Sequence, residues 1–529
     1  MRFEVNDDQL DSLLDPDSQE KAAIRGAQPA LIEAFGIRGL YGYRTISLES
    51  NFAATILIAK NGTGKTTLLG ALDAFLSLQI ARLRNLEFDE IFCRIRGCDD
   101  ELVISHDDVV EFLRVPSEGE FFTVVNRTKI DPDTLFDFFL GDYKEKFENY
   151  YADHDSHSPV NVIARVYGHN LRTAIKACDE AVASLFRRNA KFHNLQQTLQ
   201  KALQGYEIVY LPTYRRIELA LTDSDRESPR RRAQPKFKLA TGSLHTGNIQ
   251  FGLSDISDRL KELNNDIIIR SNQGYREISE NIINELIGGF EVKEGASIPT
   301  PDELKLFFAR LETGGRMIGP YYPISAPDFD RIYSGEGVPP ESRKFLSYFL
   351  SKLNNVIKIT KEIEHPVEDF VLSCNKYLLS IEPSTLPGDM AEHNRLPATD
   401  AKYLRMDRAD LSVAVESVPS KRAISLDALS SGEKQMISLF ARLYLYPKRK
   451  IVLIDEPELS LSIDWQKGIL VDALLAPQCE QVIAITHSPF VFDNSLERFA
   501  RSLRVTVSQS PGPEAPTLPL GDDGTADGD

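Results

Sequence analysis

No apolar run in the 529-residue sequence approaches the roughly 18 residues that cross a bilayer, so no membrane span and no membrane partner are expected. The first twenty residues, MRFEVNDDQLDSLLDPDSQE, lack the basic start and apolar core of a secretory signal. The five cysteines (Cys93, Cys98, Cys178, Cys374 and Cys479) are odd in number and mostly scattered, which excludes a disulfide framework in favour of reduced thiols. Cys93 and Cys98, the only close pair, lack the second pair or clustered histidines that zinc needs, and they read as structural. Basic residues are outnumbered 61 to 78, a net charge of −17, which argues against wholesale coating of nucleic acid but not against a local basic groove. No internal repeat is visible. A cytoplasmic protein is expected.

A hydrophobic fraction of 42% with 26% charged residues excludes disorder as the dominant state. The chain is longer than the ~250–300 residues at which single cores stop growing, so one elaborated domain with a large insertion is within reach. Residues before about 30 are polar and acidic; after them IEAFGIRGLYGYRTISL alternates in the manner of strands. The run Thr55-Ile56-Leu57-Ile58, a Gly-rich turn and LLGALDAFLSLQIARL then form a strand–loop–helix unit. Between residues 98 and 401 long amphipathic stretches predominate without a sustained heptad seam, so a compact helical lobe is expected rather than a long coiled coil. Within it Ile208-Val209-Tyr210-Leu211 reads as a strand ended by Pro212, and residues 226–238 as a basic loop. Beyond Lys402 come a hairpin (YLRMD, LSVAVE), a helix from about Gly432, and the strands Ile451-Val452-Leu453-Ile454 and Val482-Ile483-Ala484-Ile485. Four segments are therefore expected: 1–97 and 402–507 as halves of one head, 98–401 as an inserted, mainly helical lobe, and 508–529 as a disordered tail.

AKNGTGKTT, residues 59–67, lies between the predicted strand and helix. A phosphate-binding loop needs glycines so that backbone N–H groups converge on phosphates, a lysine to reach the β and γ positions, and a hydroxyl for magnesium. Asn61, Gly62, Thr63, Gly64, Lys65, Thr66 and Thr67 supply that loop, although Ala59 stands where the strict pattern begins with glycine. Further on, an apolar strand ends in Asp455-Glu456-Pro457-Glu458. A carboxylate at such a strand end holds Mg²⁺ and its neighbour orients and deprotonates water, which assigns Asp455, with Thr66, to the metal and Glu456 to the base. LSSGEKQ, residues 429–435, opens a helix with two small hydroxyl residues and a glycine, and its free N–H groups favour an anion; read alone it is a plain N-cap by Ser430 or Ser431, with Glu433 and Lys434 solvated. His487, in ITHSPF at the end of the last strand, is the candidate γ-phosphate sensor.

In this order the motifs resemble the ATP-binding-cassette type ATPases of the SMC, RecF and OLD group. The resemblance covers about the first ninety and last hundred residues and implies an α/β P-loop NTPase head of ABC type with a mainly helical inserted lobe. It implies ATP and Mg²⁺ as cofactors, and a homodimer or higher homo-oligomer in which Ser431 and Gly432 of one head complete the site at Lys65 of another. LSLSIDWQ is similar to the family's D-loop, placing Ser462 and Asp464 near that seam, while Gln79 lies too close to the P-loop helix to serve as the Q-loop glutamine. Only 42 residues follow His487, too few for the TOPRIM domain of OLD nucleases. The wording of the motifs is similar to the stand-alone ATPase subunits of the anti-phage systems Septu, its retron-linked relatives, and PARIS, which implies a separate HNH or TOPRIM-like nuclease partner and control of that nuclease by ATP-dependent head dimerisation. The alternative is a RecF-like repair ATPase clamping DNA, with nucleic acid as the direct partner. Arg215, Arg216 and the 226–238 loop are the candidate contacts for phosphates, nucleic acid or a partner.

Overall fold

The computed structural model describes residues 2–3, 17–60, 62–141, 143–148, 150, 155–212, 253–288, 297–318, 327–334, 339–379, 401–425 and 428–507. Its N-terminal part contains β1 (Arg2–Phe3), α1 (Ser18–Gly26), β2 (Ile32–Leu40), β3 (Arg44–Glu49), β4 (Ala54–Ile58), α2 (Lys65–Leu76), β5 (Glu90–Ile95) and β6 (Leu102–Ser105). Helices α3 (His106–Phe112), α4 (Glu120–Thr128), α5 (Pro132–Phe139), α6 (Tyr143–Glu148), α7 (Pro159–Val166), α8 (Leu171–Arg188) and α9 (Ala190–Ala202) lead to β7 (Tyr206–Leu211). Next come α10 (Leu253–Gly288), α11 (Pro301–Ile318), α12 (Phe329–Ser334) and α13 (Pro340–Leu378). The C-terminal part holds β8 (Lys402–Asp407), β9 (Val413–Ser417), β10 (Ala423–Ile424), α14 (Ser431–Leu445), β11 (Arg449–Asp455), α15 (Ile463–Leu475), β12 (Cys479–Thr486), β13 (Ala500–Ser502) and β14 (Arg504–Val507).

A five-stranded parallel sheet in the order β13-β4-β12-β11-β7 lies at the centre. Parallel strands covered on both faces read as near-continuous apolar runs, and β11 and β12 do so. Alternation then sends each strand into two cores. Leu57, Tyr210, Ile451, Leu453, Ile483 and Ile485 join the core shared with α2 and the helices up to residue 199. Ile56, Val209, Leu211, Val452, Ile454, Val482 and Ala484 join the core shared with α13, α14 and α15. An antiparallel sheet, β14-β3-β2-β5-β6, flanks it, and a smaller one, β1-β8-β9-β10, contains the expected hairpin. Gln481 joins central and flanking sheets from a fully buried position: its Oε1 accepts from the N–H groups of Leu31 and Ile32 at 2.9 and 2.8 Å, and its Nε2 donates to the Ile32 carbonyl and the Ser50 hydroxyl.

The stretch 98–401 is mainly helical, with β7 where the sequence suggests a strand; β7 and β6, the latter not foreseen, are strands of the two sheets formed by the flanking segments. Its second part is more extended than a compact lobe. Helices α10 and α13, of 36 and 39 residues, lie side by side, and Gly274 lets them approach so closely that a Cβ there would meet Val356 Cγ1 at 2.7 Å. At 1.5 Å per residue α13 spans about 58 Å. The distal parts of α10 and α13, with α11, enclose a third core around Ile278, Phe307, Phe308 and Leu353.

Candidate nucleotide site

The C-terminal ends of β4, β12 and β11 lie side by side, since Thr486 pairs with Ile58 and Asp455 with Ile485. That register brings the motifs together. After β4 the chain turns through Gly62 (φ 79°) and Gly64 (φ 96°), left-handed conformations that a side chain strains, and α2 begins at Lys65. Ala59 is not in the left-handed region; its N–H donates to the Thr486 carbonyl at 3.2 Å and its methyl group is buried in the core, so this position makes no demand for glycine. The Thr63 hydroxyl donates to the Lys60 carbonyl at 2.8 Å, and Thr66 and Thr67 are half-buried in the first turn of α2. Asn61 lies outside the described residues.

Lys65 is buried, and its Nζ stands 2.7 Å from Glu456 Oε1. The Thr66 hydroxyl donates to Asp455 Oδ2 at 2.5 Å, bridging 389 residues of sequence. Glu456 adopts φ 52°, uncommon for a non-glycine residue, while its N–H donates to the Ile485 carbonyl at 2.8 Å. That conformation, at the end of a strand, accompanies the turn of its carboxylate toward Lys65. His487 is half-exposed, with Nδ1 at 3.0 Å from Glu458 Oε1 and 3.7 Å from Glu456 Oε1. Lys65, Thr66, Asp455, Glu456 and His487 thus form one cluster.

Sequence reasoning named neither Arg44 nor Glu458 as a site residue. Arg44, from β3, donates from Nη1 to the Gly62 carbonyl at 3.1 Å and stands 5.2 and 5.4 Å from the rings of the exposed Tyr41 and Tyr43. The only trace of it in the sequence was the GLYGYR wording of the β-rich start. Glu458 was visible beside the acidic pair, but its partners are Thr486, the last residue of β12, and His487 just after it.

At α14, Ser430 is the N-cap, in a capping box with Glu433. Glu433 is not merely solvated: it pairs with Lys402 at 2.9 Å. Ser431 is half-buried and Gly432 buried; a Cβ on Gly432 would lie 2.1 Å from the Ser460 carbonyl, so the glycine lets the 456–462 turn pack on the start of α14. Ser462 caps α15 by accepting from the Trp465 N–H at 3.4 Å, and Ser462 and Asp464 are both exposed. Gln79 accepts from Arg82 Nη1 at 2.7 Å, beside the Arg82–Asp73 pair. Arg215, Arg216, residues 226–238 and residues 508–529 lie outside the described residues.

The donor set suits magnesium. Thr66 and Asp455 offer adjacent hard oxygen atoms, and no group of three His, Cys, Asp or Glu that could hold a metal by itself occurs among the described residues. Mg²⁺ is characteristically held by one or two protein oxygens together with substrate phosphates and water.

No curated protein matches the chain. Among solved structures, the Smc head domain with an extended coiled coil, bound to the C-terminal domain of ScpA and derived from Pyrococcus furiosus, is similar at 12% identity. The match covers 90% of this chain and 96% of that one with a TM-score of 0.29, which is too low to carry an argument. No helix among the described residues is long and apolar enough to cross a membrane. The AAA ATPase domain family matches residues 32–492, an interval that spans every motif of the cluster from the phosphate-binding loop to His487. The chain belongs to the AAA ATPase domain family, as a P-loop ATPase with an α/β head.

Proposed function

We propose that this chain is the ATP-binding and hydrolysing subunit of a bacterial anti-phage defence complex, in which ATP-dependent pairing of heads controls a separate nuclease. The observation that carries the ATPase part is the convergence of Lys65, Thr66, Asp455, Glu456 and His487 at the ends of three adjacent parallel strands. In this reading residues 61–67 wrap the phosphates with backbone N–H groups, Lys65 contacts the β and γ positions, and Thr66 and Asp455 hold magnesium. Magnesium, when bound, offsets charge on the phosphate oxygens. Glu456 leaves Lys65 and takes a proton from the attacking water, and His487 contacts the terminal phosphoryl group. Ser431 and Gly432 of a second head complete the site, with Ser462 and Asp464 exposed beside the seam.

The paired long helices α10 and α13, whose distal parts share a separate core with α11, support the lobe as the surface that meets the nuclease. The similarity of motif wording to Septu and PARIS ATPase subunits supports the defence assignment. The test is mass spectrometry of material co-purified from the native host with the Glu456→Gln protein, with and without nuclease treatment of the lysate. A small nuclease recovered under both conditions is the expected result. Recovery of DNA and repair proteins only, lost on nuclease treatment, overturns it in favour of a RecF-like DNA clamp.

A further inference from the structure

The turn after β11 carries a second carboxylate with no task in the scheme above. Glu458 is 7% exposed, and a buried carboxylate is costly unless its lone pairs are filled. They are filled from one direction. The backbone N–H of His487 donates to Glu458 Oε1 at 3.0 Å, His487 Nδ1 lies 3.0 Å from the same oxygen, and the Thr486 hydroxyl donates to Oε2 at 2.7 Å. Gln466, buried in α15, extends the network: its Nε2 donates to the Leu461 carbonyl at 3.0 Å and the Glu458 carbonyl at 3.4 Å, and its Oε1 accepts from the Ser488 hydroxyl at 2.8 Å. The residues before and after His487 are therefore tied to the same turn that bears Glu456.

The geometry points to Glu458 as the positioning residue of His487, holding Nδ1–H against its carboxylate and leaving Nε2 to face the bound phosphate, to whose anionic oxygen it donates once it has taken a proton from solvent. An ionised carboxylate only accepts hydrogen bonds, so the nitrogen beside it carries the hydrogen. Anchoring ring and backbone N–H on one oxygen also removes the rotation by which an imidazole exchanges its two nitrogens, the usual purpose of a hydrogen bond behind a functional histidine. The side-chain hydrogen bonds of Gln466 and Thr486 make the ring's orientation dependent on the 456–462 turn, and so on the position of Glu456.

This inference rests on the proposed role of His487, and its first test does not need nucleotide. Protein labelled with ¹⁵N at its nine histidines, with the His487 signals assigned by their loss in His487→Gln, reports which ring nitrogen is protonated in the solid-state spectrum. A protonated Nδ1 is expected in the wild type and in Glu458→Gln, whose amide oxygen still accepts, and a mixture of tautomers in Glu458→Ala. A bare Nδ1 in the wild type overturns the inference without any variant, as does an unchanged Nδ1–H signal in Glu458→Ala. In turnover, Glu458→Ala lowers kcat by roughly 10- to 100-fold with KM for ATP within about twofold, and Glu458→Gln restores most of it; a KM effect alone refutes positioning. Full turnover by His487→Gln defeats the role given to His487 while leaving the tautomer result standing.

Discussion

The ion pair between Lys65 and Glu456 makes a quantitative prediction about nucleotide affinity. The two side chains are only 6% and 16% exposed and 2.7 Å apart. Without nucleotide, the lysine proposed to grip phosphate is thus held by the carboxylate proposed to activate water. Binding must exchange one anion for another. The bare Coulomb attraction at that separation is about 6 kcal/mol at an effective dielectric constant of about 20, most of it offset by desolvation of both groups. Hydrogen bonds to charged groups keep a net of about 1.5–3 kcal/mol. Glu456→Gln removes this competitor, so the Kd of a non-hydrolysable ATP analogue falls roughly 10- to 150-fold while turnover is lost. Equilibrium titration with a fluorescent analogue, beside Lys65→Ala as the variant that loses the grip itself, measures this directly. An unchanged or weaker affinity in Glu456→Gln refutes the exchange. Wild-type turnover in the same variant refutes the assignment of Glu456 as the base.

Gly432→Ala sets a methyl group against the Ser460 carbonyl, where the gap is 2.1 Å. It costs about 1–3 kcal/mol of stability by overpacking and suppresses ATPase activity, and a wild-type urea midpoint would show that the turn yields freely. Gln481→Leu leaves the N–H groups of Leu31 and Ile32 without their buried acceptor, at roughly 1–3 kcal/mol for each group stranded; calorimetry showing an unchanged Tm contradicts that role. Burial pushes the thiols of Cys178 and Cys479 up to about 12 and raises those of Cys93 and Cys374 as well. Above the unfolded value near 8.5 the unfolded chain therefore loses thiol protons that the folded chain keeps. Stability falls with rising pH by about 1.4 kcal/mol per thiol per pH unit, a decline that disappears from urea curves if the thiols are accessible to solvent.

Local chemistry made much of this head legible before any tertiary contact was known. β4, α2, β11 and β12 follow from apolar runs bounded by glycine and acidic turns, because a strand buried on both faces and a helix opened by glycine each need a particular local pattern. Lys65, Thr66, Asp455, Glu456 and His487 were named from such patterns, each at the end of a strand or the start of a helix. Within the mainly helical stretch β7 was legible as a strand and β6 was not, and the sheet edge that each joins was legible for neither. Their partners β5 and β11 lie in the flanking segments, and no local pattern records which edge a strand joins.

The sequence by itself determined the types of chemistry available and the elements that would carry them, since residue identity and hydrophobic period act over a few neighbours. Tertiary structure alone decided that Thr66 meets Asp455, that Lys65 pairs with Glu456, that Arg44 lies against the Gly62 carbonyl, and that Glu458 receives His487. These contacts depend on parallel register and on a left-handed turn at Glu456, which are settled by packing two cores against one sheet.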